Sequence, residues 1–144
     1  MLRNISYNSK ELKQEIREQS GNQFSLISRL KMGGIGSQRL VLIEASPKIQ
    51  ELLSFDNKTN FCNIELREKG IILHFRSRLE TFGWIVPYHL ISIFKSENHY
   101  SIYSGADFVK LSPAHNSSLN HRFIKKLLKM KHESSKHHVQ IDQL

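Results

Sequence analysis

At 144 residues the chain has the length of one domain and can bury a core without disulfide or metal staples. The single cysteine, Cys62, excludes an intrachain disulfide, and no apolar run approaches the length that spans a bilayer. The balance of 21 basic against 13 acidic residues gives +8. Five of the cations (Arg122, Lys125, Lys126, Lys129 and Lys131) fall in the acid-free stretch SLNHRFIKKLLKMKH. The basic signal therefore belongs to one element rather than to the whole surface. MLRNISYNSKELKQ turns polar too early for a secretory leader, so a reduced, cytoplasmic setting is the expectation.

Residues 9 to 19, SKELKQEIREQ, read as a short helix with a thin stripe of Leu12 and Ile16, and Asn8 and Glu11 have the spacing of a capping box. GNQ at 21 to 23 stops it. FSLISRLKM (24 to 32) suits a helix or a strand equally. GGIGS (33 to 37) reads as a flexible joint before the main β unit. It is not a phosphate loop, because Ser37 and Gln38 stand where a Walker A motif needs lysine and a hydroxyl, and Arg39 stands where a dinucleotide fingerprint needs glycine.

From Arg39 onward short extended segments recur at close spacing. RLVLIEA (39 to 45) comes first, then a helical turn from Pro47 with Ile49, Leu52 and Leu53 on one face. FCNIELRE (61 to 68) alternates, with Cys62, Ile64 and Leu66 facing one way. EKG is a tight hairpin in which Gly70 is expected to take positive φ. IILHFRS sets Ile71, Leu73 and Phe75 against Ile72, His74 and Arg76. TFGWIVPY (81 to 88) places Phe82, Trp84 and Val86 together, and Pro87 closes that strand where no ladder bond is lost. HLISIF then starts a new strand, so GWIVPYHLISIF is two strands meeting at a corner. HYSIYS and ADFVKLS form a last hairpin about Gly105. The final element, 118 to 132, is a helix in which Leu119, Phe123 and Leu127, joined by Ile124 and Leu128, make an apolar stripe. A frayed tail, 133 to 144, is expected beyond it.

Seven strands followed by one amphipathic helix give an α+β, mostly β, chain. The hairpin NIELREKGIILHF, the corner IVPYHLISI and the helix FIKKLLKM resemble the pleckstrin-homology-like (PH/GRAM-like) superfold, in particular its small bacterial domains. The resemblance covers residues 39 to 132. It implies a seven-stranded, bent, open barrel with a C-terminal capping helix, preceded here by a helical extension and Gly-rich joint at 1 to 38. It also implies a non-catalytic module that recognises a peptide, a partner protein or an acidic lipid headgroup.

Phosphoinositide-binding members of that superfold carry a lysine on the first hairpin, then a basic residue and an arginine two apart. Lys69, Arg76 and Arg78 match those letters. A tight EKG turn nevertheless sets Lys69 and Arg76 seven residues apart along one strand, about 23 Å at ~3.3 Å per residue, too wide for one headgroup. The alternative for His74, Arg76 and Arg78 is a solvated strand face. The basic helix can lie on an anionic membrane or a phosphate backbone, or its lysines can simply keep the chain soluble and complement the helix dipole.

Cys62, on the apolar side of its strand, reads as a buried inert thiol. His137 and His138 in the tail offer a weak in vitro metal affinity, and no residue set has the spacing of a catalytic or metal site. The expectation is a binding module without cofactor or metal. Its leading partner is a protein or peptide, with His74, Arg76, Arg78, Tyr88 and His89 as contacts. The alternative is an anionic lipid or nucleic acid, held by Arg122, Lys125, Lys126 and Lys129 and by the Arg76/Arg78 face.

Overall fold

Alternating side chains build the centre of this molecule, and an N-terminal segment closes over one side of it. A computed structural model describes residues 1–54, 59–97, 99–114 and 121–142, with side chains given as far as Ser134. In chain order the elements are β1 (Leu2–Asn4), α1 (Lys10–Ser20), α2 (Leu26–Met32), β2 (Leu40–Ala45), α3 (Pro47–Leu53), β3 (Phe61–Leu66), β4 (Gly70–Ser77) and β5 (Glu80–Pro87). A 3-10 turn (Tyr88–Leu90), β6 (Ser92–Lys95), β7 (Tyr100–Ser104), β8 (Asp107–Pro113) and α4 (His121–Asp142) follow. The fold is α+β and mostly β. One antiparallel sheet of eight strands runs in the order β1-β5-β4-β3-β2-β8-β7-β6, and its end strands do not pair, so it stays unclosed. All seven expected strands are present as β2 to β8. The eighth, β1, corrects the count.

Cys62, Ile64 and Leu66 of β3 point into the core beside Ile71, Leu73 and Phe75 of β4, as alternation demands. Trp84 and Val86 extend that face on β5, and Phe82 stacks on Phe75 with ring centroids 5.9 Å apart. Ile49 and Leu53 of α3 close one side. Ser46, the residue before α3, makes no side-chain cap; its buried hydroxyl instead accepts from the Phe108 amide at 3.1 Å. Phe123, Ile124 and Leu127 bring α4 into the same core, and the helix packs on the 3-10 turn. Leu128 is a correction to the expected stripe, because it faces solvent. Leu119 lies outside the described residues. α4 also runs on to Asp142, past the expected end at 132.

The other face of β4 and β5 is covered too. Ile72 and Ile85 point away from the main core yet are buried, because α1 and Ile5 lie over them. A Cβ on Gly83 would sit 3.2 Å from both Ile5 and Ile72. Ser9, not Asn8, caps α1 by accepting the Leu12 amide at 3.1 Å. At the far end of α1 the Lys69 amide donates to the Ser20 carbonyl (2.8 Å) and the Glu68 amide to the Asn22 carbonyl (3.2 Å). The β3–β4 hairpin is thus backbone-bonded to the end of α1. Gly70 does not take positive φ as expected. It is needed for closeness: a Cβ there would collide with the Val86 carbonyl oxygen and lie 2.9 Å from the Pro87 Cα and 3.1 Å from the Ser20 Cα.

Pro87 ends β5 opposite Gly70, and the 3-10 turn makes the corner into β6. The GGIGS segment is bonded along β3 rather than standing as a free joint. Gly36 bridges Glu65, the Leu66 amide donates to the Ile35 carbonyl at 2.8 Å, and the Ser37 amide donates to the Ile64 carbonyl at 2.8 Å.

Candidate functional site

The contact residues expected from the sequence spread along the β4–β5 ladder, with His74 between its two ends. Arg76 lies opposite Thr81, and Arg78 occupies the turn between β4 and β5 with φ 57, a left-handed conformation. Arg78 therefore leaves the strand's alternation, which corrects the expectation that it shares a side with Arg76 by strand parity. Tyr88 and His89 follow the opposite end of β5, where Pro87 pairs with Gly70. Lys69 directly precedes β4 at that end, whereas Arg76 is the last residue but one of the strand.

Tyr88 is corrected outright. It is fully buried and its hydroxyl donates to the Arg67 carbonyl at 2.6 Å, so it holds the corner together and presents nothing to a ligand. Burial raises its phenol well above the ordinary tyrosine range, against the effect of that bond. His74 is engaged by its neighbour across the sheet: its Nε2 lies 3.0 Å from Glu65 Oε1, while Arg67 donates to Glu65 Oε2 at 2.6 Å. Burial works to raise the Glu65 carboxyl. The His74 hydrogen bond and the Arg67 charge outweigh it, and the group stays below its ordinary value. His89 lines an open cleft of ≈ 710 Å³ with Glu18, Glu68, Lys69 and Glu133.

Of the α4 cations, Arg122, Lys125 and Lys129 are exposed. Lys126 is half-buried and donates to the Gly33 and Gly34 carbonyls at 3.2 and 3.4 Å. Cys62 is buried, and desolvation pushes its thiol up to about 12. Among the described residues no three metal-capable side chains come together, and no helix is long and apolar enough to cross a membrane. The side chains of His137 and His138 lie outside the description.

Two surfaces carry no charge motif and escape a reading by residue type. The first is at the β6 edge. Phe94 is 61% exposed and meets Tyr103, itself 38% exposed, edge to face at 5.6 Å; Tyr103 stacks on Phe108 at 5.4 Å. These three rings cross β6, β7 and β8 on the side away from Ile102 and Val109, which are in the core. Among the described residues β6 pairs with β7 alone, leaving its outer edge open. The second is α2, whose Leu26, Ile27 and Leu30 are exposed. The available signal for the first was register: with Ile93 and Ile102 facing inward, Phe94 and Tyr103 must face outward.

Comparison with protein-family models, with curated proteins and with solved structures gives no match to this chain.

Proposed function

We propose that the chain is a non-catalytic binding module of pleckstrin-homology-like architecture that takes an extended peptide of a partner protein along the edge of β6. Strands β2 to β8 run as two meanders whose first and last strands pair, with a seam between β5 and β6. The 3-10 turn crosses that seam and α4 packs against it. This supports the reading of a bent, open, seven-stranded barrel with a helical plug, to which β1 adds a further edge strand. The reading needs no cofactor or catalytic group, and with its one buried thiol the protein suits a reducing cytoplasm.

The observation that carries the peptide reading is the open edge of β6 beside the Phe94–Tyr103–Phe108 row. An unpaired edge offers backbone donors and acceptors to an added strand, and exposed aromatic rings give its alternate side chains an apolar bed. Lys95, at the end of β6, places a cation where an acidic residue of the peptide would lie.

The test is selection of a displayed random-peptide library on the immobilised protein, followed by amide NMR titration with the recovered peptides. Shift changes centred on β6 are expected, with Phe94→Ala and Tyr103→Ala each weakening binding about tenfold, or ~1.4 kcal/mol. Peptides whose shifts centre elsewhere, peptides indifferent to both substitutions, or a selection that enriches nothing would each refute the proposal.

A further inference from the structure

α2 is only seven residues long, yet it presents its most apolar side to solvent. Leu26, Ile27 and Leu30 are 71%, 67% and 75% exposed. At about 100° per residue they share an arc of roughly 100° on the helix. Met32 lies on the opposite side and packs on the core, which fixes the apolar arc outward. Burial in the protein is therefore not the reason for these three side chains.

Cations surround that arc. Lys31 flanks it on α2, and Arg29 on the other margin is held by a 3.0 Å bond from its Nε to the Phe24 carbonyl. The basic side of α4 arrives at the C-terminus of α2. Lys126 binds the Gly33 and Gly34 carbonyls, and the Gly33 Cα hydrogen is so close to Arg122 that a Cβ there would sit 3.5 Å from its guanidinium. At the same helical step Lys125, Lys129, Arg122 and Lys126 fall within an arc of about 100° on α4. No acid occurs between Glu18 and Glu44, nor between Asp107 and Glu133. The fold thus sets the acid-free stretches of both ends of the chain side by side.

We infer that α2 and α4 form a docking face for an anionic lipid bilayer, with Leu26, Ile27 and Leu30 entering the interface and Arg122, Lys125, Lys129 and Lys31 meeting headgroup phosphates. An exposed apolar ridge bordered by cations is the distribution that an interfacial helix requires, since the ridge gains from the acyl boundary and the cations from the surface potential. A nucleic acid would use the cations and leave the three aliphatic side chains without a partner. This face shares no residue with the β6 edge, and the inference does not rest on the peptide reading.

The experiment is flotation of the full chain with vesicles of phosphatidylcholine alone and of phosphatidylcholine mixed with phosphatidylglycerol. Binding to the mixed vesicles only is expected, with a loss of roughly fivefold for each cation neutralised among Lys125, Lys129 and Lys31. Leu26→Asp with Leu30→Asp should abolish flotation while circular dichroism stays unchanged, both positions being at the surface. In a Leu30→Trp variant the added emission should shift to the blue on mixed vesicles. Equal binding to both vesicle types, flotation that survives the double aspartate variant, or an unshifted emission from the introduced indole would overturn the inference. So would duplex DNA binding as tight as vesicle binding and indifferent to the aspartates.

Discussion

Leu127 and Leu128 are adjacent on α4 and have opposite surroundings: the first is fully buried and the second is 45% exposed. Leu127→Ala removes a side chain from the core that α4 shares with the strands, and such changes cost ~2–5 kcal/mol. Leu127 is the most deeply buried of the three α4 core residues and has the half-buried Met130 beside it, so ~3 kcal/mol is the working figure. An unfolding entropy of about 2.1 cal/mol/K per residue over 144 residues comes to roughly 0.3 kcal/mol/K, so Tm should fall by about 10 °C. Leu128→Ala should stay within about 0.5 kcal/mol, a Tm change under about 2 °C. Thermal and urea unfolding followed by circular dichroism read both, with the urea m-value unchanged if the two variants unfold as the parent does. Equal small shifts in the two would mean that α4 adds no core, and the helical plug would have to be abandoned.

Gly70→Ala should destabilise by about 3 kcal/mol, at the upper end for overpacking, since the new methyl meets backbone from Val86, Pro87 and Ser20 at once; urea titration measures it, and a loss under about 1 kcal/mol would show that the hairpin can move off α1. Glu65 titrates below its ordinary value near 4.5, so its contribution to stability is complete above that value and disappears as pH falls through the lower folded value. In Glu65→Gln the acid side of the stability–pH curve should accordingly flatten, and an unchanged curve would rule out the His74–Glu65–Arg67 network as its source. Cys62, with its thiol pushed up to about 12, should resist a water-soluble disulfide reagent at neutral pH until denaturant is added; fast labelling of the native protein would contradict its burial.

β3, β4 and β5 are legible in the sequence because inward and outward residues differ in kind over 61 to 86, and Pro87 marks where the ladder stops. β1 escapes because three residues show no period, and its existence depends on Trp84, Gly83 and Phe82 of a strand far along the chain. FSLISRLKM resists assignment because its apolar residues fit two periods, and because α2 packs a half-buried Met32 on the core while exposing the other three. The site is less legible than the fold. His74, Arg76, Arg78, Tyr88 and His89 stand out by residue type, but the reversal at Arg78 and the corner at Tyr88 place Arg76 and Arg78 at one end of the β4–β5 ladder and Tyr88 and His89 at the other, with His74 between. Phe94, Tyr103 and Phe108 form a row only once three strands are aligned.

The pairing of β2 with β8 joins Leu40 to Pro113, and that of β1 with β5 joins Leu2 to Trp84. Each closes a long stretch of chain before any contact rewards the lost freedom, while the β3–β4–β5 hairpins close short ones. Refolding should consequently begin in that local trio and be paced by the arrival of the distant partners, so that a truncation at Leu40 would spare the early phase and remove the late engagement of β1.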